Sequence, residues 1–261
     1  MADHFIRDIK KRTGTILVFT GAASILALVL SLLMPPEYLS EASLLPSNSK
    51  LMDKQRLFGN NIQELYSSYG NAEDLDRLFA TMQSSAVINH VADSLKLAAH
   101  YDVEGRKNAR SVAQKKLQRQ IKLQRSEYGE LRLRVWDKDP GTAAAIANAL
   151  ISKTQQVFDD MFRLYYDRSI SNLAQELRAR EELVKQDSTL ALRAENAVIK
   201  SRISEYQVTR LNPPAAFFVM EKPERSSIPD RPVIWLNVLA TFFVSLFTIL
   251  AWIAARKTDV A

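Results

Sequence analysis

His90 and His100, with the carboxylate pairs Asp159-Asp160 and Glu181-Glu182, are the side chains whose types suit metal ligation or acid–base work. Their spacing argues against both. Ten residues apart in a stretch that reads as helix, the two histidines point roughly 80° away from one another rather than stacking. The carboxylates stand among other charges, as on a solvated helix face. The chain has seven glycines and three histidines. It contains no G-x-x-x-x-G-K-[ST], no G-x-G-x-x-G, no H-E-x-x-H and no G-x-S-x-G. The expectation is no catalytic residue, no cofactor site, no metal site and no enzyme.

Other residues suit helix packing instead. Ala23, Ala27 and Ser31 form a small-xxx-small-xxx-small line, which lets a second helix approach closely. Asn237 sits near one end of a second apolar stretch and can hydrogen-bond across a helix pair at ~0.6–2 kcal/mol. The partner is either the chain's own second stretch or a helix of another protein. Pro223, Pro229 and Pro232 suit an extended, stiff segment rather than a helix.

The elements that must position these residues begin and end in membrane. Thr15–Met34 and Val233–Ala254 carry no charged side chain, and at ~1.5 Å per residue each covers a ~30 Å hydrocarbon layer. A signal peptide is the alternative for the first stretch. Its length and the Met34-Pro35-Pro36-Glu37 sequence fit a small-residue cleavage site poorly. Trp235 and Trp252 stand near opposite ends of the second, ~26 Å apart along a helix, as indoles at two interfaces do. Arg7, Lys10, Lys11 and Arg12 precede the first stretch; Arg256 and Lys257 follow the second. By the positive-inside rule both termini are cytoplasmic and the central arch lies outside.

The chain's net charge is +6, but six of its 35 basic residues flank the apolar stretches. The arch is left near +3 and shows no basic stripe with interleaved aromatics, so no nucleic-acid partner is expected. Zero cysteines fit an oxidising compartment and a reducing one equally.

Within the arch, Tyr38–Leu45 reads as a strand ending at Pro46. Leu57–Tyr69 and Asp74–Ala98 show helical spacing; Leu75, Leu78, Phe79, Met82, Val87, Val91 and Leu95 share one face. Ser84 or Ser85 caps the later part. A short helix over Ala109–Arg119 gives way to period-two alternation at Ile121 and Leu123, then at Leu131, Leu133 and Val135. Ser126-Glu127-Tyr128-Gly129 between them supplies a hairpin turn. A fourth strand falls at Ala216–Met220. Helices packed on a small mixed sheet follow.

After Asp137-Lys138-Asp139-Pro140, neither proline nor glycine recurs between Thr142 and Arg210. Apolar residues there repeat at coiled-coil-like intervals. One unbroken helix would be ~105 Å long, and the 22 residues from Leu211 to Pro232 return at most ~75 Å. The chain must therefore reverse, and Gln186-Asp187-Ser188-Thr189 is the turn. The expected division is 1–14 cytoplasmic, 15–34 first transmembrane helix, 35–140 periplasmic α/β base, and 141–210 long helix and return helix. It continues with 211–232 as the final strand and Pro-rich segment, 233–254 as the second transmembrane helix and 255–261 as a cytoplasmic tail.

Four pieces of the chain, in order, resemble the Wzz-like polysaccharide co-polymerases (chain-length determinants), in their short form without a kinase domain. Pro36–Pro46 resembles the strand after the first span. Leu131–Pro140 leading into Ala143–Asn148 is similar to the family's strand, D-x-D-P turn and A-x-x-I-A-N helix start. Glu221–Pro232 resembles its proline-rich segment, and the two-span topology is the fourth. The helical part is shorter than in many members, and the proline spacing is looser.

The resemblance implies an α/β membrane protein in the bacterial inner membrane, with a protruding helical hairpin on a periplasmic base. It implies a ring-like homo-oligomer. Such a ring regulates the length of O-antigen, capsule or exopolysaccharide chains beside a membrane polymerase, without catalysis of its own. The partners implied are other copies, the polymerase, the bilayer and the growing glycan. The alternatives are an export component bridging to an outer-membrane channel, or a membrane-anchored sensor.

Overall fold

Capping residues, rather than the apolar pattern, decide where the helices of the central region break. The computed structural model describes residues 12–48, 69–186 and 190–258. Arg7, Lys10 and Lys11, most of the expected helix Leu57–Tyr69, the turn at 187–189 and the last three residues lie outside them. Two compact units share the chain: Ser40–Val135 with Ala144–Glu224, and a smaller one built from the segments up to Leu39, Trp136–Ala143 and Arg225 onward.

In the larger unit, helix α2 (Ala72–Met82) starts at a capping box. Asn71 Oδ1 accepts from the Asp74 N–H at 3.1 Å, and Asp74 Oδ2 accepts from the Asn71 N–H at 3.1 Å. Ser84 Oγ accepts from the Val87 N–H and caps α3 (Ser85–Ser94). Their buried residues, Leu75, Leu78 and Met82, then Val87 and Val91, fall at helical spacing, while Phe79 and Leu95 pack against the same core. The helix expected to reach Ala98 instead stops at Ser94. Lys96 then adopts a left-handed φ of 49°, and a single turn, α4 (Leu97–His100), follows. Helix α5 (Ala109–Gln120) returns beside α3, tied by an Arg110–Asp93 ion pair, and buries Ala113 and Leu117.

Strands β2 (Ile121–Arg125) and β3 (Leu131–Asp137) form the expected hairpin, with Ile121 opposite Val135 and Leu123 opposite Leu133. Gly129 takes a φ of 80° at the turn, a conformation glycine adopts without steric cost. Leu131, Leu133 and Val135 are fully buried, and Arg132 and Arg134 alternate with them. Strand β1 (Tyr38–Pro46) lies next to β3, with Arg134 Nε 3.1 Å from Glu41 Oε1. Strand β4 (Phe217–Glu221) closes the order β2-β3-β1-β4.

The registers of β1 with β4 and of β2 with β3 are antiparallel, so the small expected sheet is antiparallel, not mixed. Alternating strands and helices suggested crossovers. Here β2 and β3 join through a tight turn, and β4 comes back from a helical hairpin against the direction of β1.

Helix α6 (Pro140–Gln186) has Pro140 in its first turn. Asp139 Oδ2 accepts from the Thr142 N–H at 2.6 Å and from Thr142 Oγ1 at 2.9 Å, an N-cap. Its first turns bury Ile146, Ala147 and Leu150 in the core below the sheet. Forty-seven residues make a helix ~70 Å long.

Helix α7 (Leu190–Leu211) runs back along α6. Lys200 Nζ meets Glu181 Oε1 at 2.9 Å, Arg180 pairs with Glu195, and Arg210 pairs with Asp167. Tyr166, buried, meets the ring of Tyr206 edge-on at 5.3 Å, an arrangement aromatic quadrupoles favour. The reversal places its ends at Gln186 and Leu190, around the turn expected there.

Candidate functional site

The smaller unit holds two helices long and apolar enough to cross a membrane, α1 (Thr13–Leu33) and α8 (Ile234–Thr258). They pack antiparallel. Near one end Ile16 is buried with Ile249 and Ile253. Near the other, Asn237 Nδ2 donates to Ser31 Oγ at 3.2 Å.

Between these ends Thr20, 2% exposed, returns its hydroxyl to the Ile16 carbonyl at 2.8 Å, and Ser24 does the same to Thr20 at 2.9 Å. Back-bonded hydroxyls present a small, satisfied surface to the partner helix. Ala23 and Ala27 are half-buried, and Ser31 is buried. The outward faces carry Leu17, Val18, Leu33, Trp235 and Phe247 in the open, the reverse of a water-soluble helix pair.

Beside this pair, segments far apart in sequence meet. The Glu37 N–H donates to the Arg231 carbonyl at 2.9 Å, and the Glu37 carbonyl accepts from the N–H groups of Asp230 (2.8 Å) and Arg231 (3.2 Å). Trp136 follows the buried Val135 at the end of β3. Its Nε1–H donates to Asp230 Oδ2 at 2.7 Å, while the Arg231 guanidinium lies 3.9 Å from the Trp136 ring centroid. Arg231 also reaches Glu37 Oε2 at 3.8 Å. Each charge in the cluster thus faces an opposite charge, a donor or a π face.

Gly141 belongs to the same neighbourhood. A Cβ there would stand 3.1 Å from Asp139 Oδ2 and 3.6 Å from the Arg225 guanidinium carbon. In the proline-rich segment Pro223 is buried, Pro232 half-buried and Pro229 exposed. The sequence reading missed Trp136, Asp230 and Arg231. A tryptophan just before D-x-D-P, and an Asp-Arg step just before the last proline, were the available signals.

The residues weighed for chemistry are scattered. His90 and His100 are exposed on α3 and α4, and His100 packs on the Tyr101 ring. Asp159 accepts from Gln155, and Glu181 pairs with Lys200. Among the described residues no three His, Cys, Asp or Glu side chains gather as a metal set. Arg180, held by Glu195 and then by Glu176, has its proton affinity raised above the ordinary arginine value.

No protein-family model and no curated protein matches the chain. Among solved structures it is similar to a full-length bacterial polysaccharide co-polymerase, at 13% identity and a TM-score of 0.44 over 98% of each chain. It is similar to a fragment of the co-polymerase WzzB from Salmonella Typhimurium, at 12% identity and a TM-score of 0.46, covering 75% of this chain and 100% of that one. It is also similar to a variant of the Shigella flexneri lipopolysaccharide O-antigen chain-length regulator, at 12% identity and a TM-score of 0.35, covering 74% of this chain and 100% of the other.

Proposed function

We propose that this chain is a non-catalytic, oligomeric inner-membrane regulator of surface polysaccharide chain length, acting with a membrane polymerase. One observation carries the reading. The three sequence pieces that resemble the family, Pro36–Pro46, Leu131–Pro140 and Glu221–Pro232, meet on one another through Glu37, Trp136, Asp230 and Arg231. Pieces that share a resemblance and also a contact form one working part, a brace that joins both membrane helices to the start of α6.

In this reading both termini are cytoplasmic and the segment between α1 and α8 is periplasmic. Copies stand side by side as a ring. Met161, Leu164 and Tyr165 on α6, and Val208 and Leu211 on α7, are exposed and supply apolar surface for a neighbouring copy. Ala23, Ala27, Ser31 and Asn237 pack the two spans, and Pro223, Pro229 and Pro232 hold the approach to the second.

The test is a deletion of the gene, followed by electrophoresis of the surface glycan. The expected result is a changed length distribution, restored by the intact chain and not by an Arg231→Ala chain expressed to the same level. An unchanged ladder overturns the proposal. Loss of surface glycan with intracellular accumulation favours an export role instead.

A further inference from the structure

An open groove of about 960 Å³ runs along the face of the α1/α8 pair. Leu28 on α1 and Val238, Leu239 and Phe242 on α8 wall it, and Ser24 adds a short side chain at its base. Phe242 lies eight residues into α8, so the groove reaches ~12 Å down the helix from its start. Trp235, 68% exposed, stands near the upper end. The walls are apolar along this depth.

Of the residues that line the groove one is charged, and it stands at the upper end. Asp230 lines the groove there, while Arg231, the next residue, is turned to Trp136 and Glu37. One Asp230 carboxylate oxygen accepts from Trp136 Nε1, which fixes the group in place, and a carboxylate has a second acceptor oxygen. An open apolar groove with a fixed anion at its rim complements an amphiphile with a cationic head.

We propose that this groove holds one acyl chain of an amine-headed phospholipid, phosphatidylethanolamine in type, with its ammonium against Asp230. The occupant comes from the bilayer in which α1 and α8 lie, since the groove opens along those helices. An anionic phospholipid meets like charge at the same rim and is disfavoured. Ser24 and Leu28 set the room for the chain, and Asp230 selects the head. The inference rests on α1 and α8 spanning a bilayer, but not on any role in glycan synthesis.

The test uses the full chain carrying Trp252→Phe, so that Trp235 is the indole left in the two helices. It is placed in vesicles of equal parts phosphatidylethanolamine and phosphatidylglycerol, with brominated chains on one lipid at a time. Bromine on the ethanolamine lipid is expected to quench Trp235 about two- to five-fold more than bromine on the glycerol lipid, the range of one partly exposed ion pair. Asp230→Asn, which keeps an acceptor for Trp136, is expected to bring the two signals level. Ser24→Leu, which fills the groove, is expected to lower the ethanolamine signal without touching the rim.

Equal quenching by the two lipids in the parent chain overturns the proposal while leaving the spans in place. Quenching by neither overturns the membrane placement, and the proposal with it.

Discussion

Arg231 lays its guanidinium over the indole of Trp136, 3.9 Å from the ring centroid. The same indole donates from Nε1 to Asp230 Oδ2 at 2.7 Å. One tryptophan thus holds two consecutive residues of the chain just before α8, one by its face and one by its edge. Trp136 is the next-to-last residue of β3 and stands four positions before α6 begins, so its anchor on Asp230 and Arg231 lies within the smaller unit.

Arg231→Ala removes the stacked cation and its pairing with Glu37. In the purified, detergent-solubilised chain, Tm is expected to fall by about 2–6 °C, as for a loss of ~1 kcal/mol. Arg231→Lys recovers part of the fall, since an ammonium keeps the charge but not the planar stack. A Tm unchanged in both variants would mean the stack contributes nothing.

Ser31→Cys combined with Asn237→Cys is expected to form a disulfide on mild oxidation. The parent chain has no cysteine, and the hydrogen bond of 3.2 Å between the two side chains shows that they face one another, the first requirement of a bridge. Ser31→Cys combined with Ile253→Cys, at opposite ends of the helix pair, is the control that stays reduced. Proteolysis followed by non-reducing electrophoresis reads the outcome. A bridge in the control alone would reverse the helix pairing.

Gly70→Ala is expected to destabilise the larger unit by about 1–3 kcal/mol, as overpacking does. The new Cβ would meet Asp74 Cβ at 2.7 Å and the Ser47 carbonyl at 2.8 Å. Neither side can shift freely: Asp74 closes the capping box, and Gly70 itself is held by its N–H, which donates to the Pro46 carbonyl at 2.7 Å. Thermal unfolding compared with Gly105→Ala, where a Cβ meets nothing within 4 Å, isolates the steric effect.

Leu133→Ala removes a fully buried side chain from the centre of β3. The expected cost is about 2–5 kcal/mol, the range for truncating a core leucine. Leu164→Ala, on an exposed position of α6, costs less than ~0.5 kcal/mol in the isolated protomer. Chemical denaturation of the two variants compares them directly, and equal losses would contradict the burial pattern.

Much of the fold was legible because its signals are local. Alternation at Leu131, Leu133 and Val135 named a strand with one buried face, and Gly129 marked the turn beside it. Asp139 before Pro140 marked the start of the long helix. The need for a reversal followed from length, because a 70-residue helix cannot be closed by a 22-residue return, and its place at Gln186-Asp187-Ser188-Thr189 followed from turn chemistry. The break at Ser94 was not legible, since Leu95 and Ala98 continue the apolar face that earlier turns began. Nor was strand direction, which depends on where each strand enters the sheet.

Sequence alone determined that the chain carries two apolar helices, a period-two hairpin and a long amphipathic helix doubled back on itself. Periodicity, capping and chain length act over a few residues or set limits that no packing can evade. Only the tertiary structure decided that Glu37, Trp136 and Arg231 meet, and that Ser31 faces Asn237 rather than the outside. Those pairings join residues about 94 to 206 positions apart. No local preference encodes them, because a polar side chain finds its partner only after the apolar faces have chosen theirs.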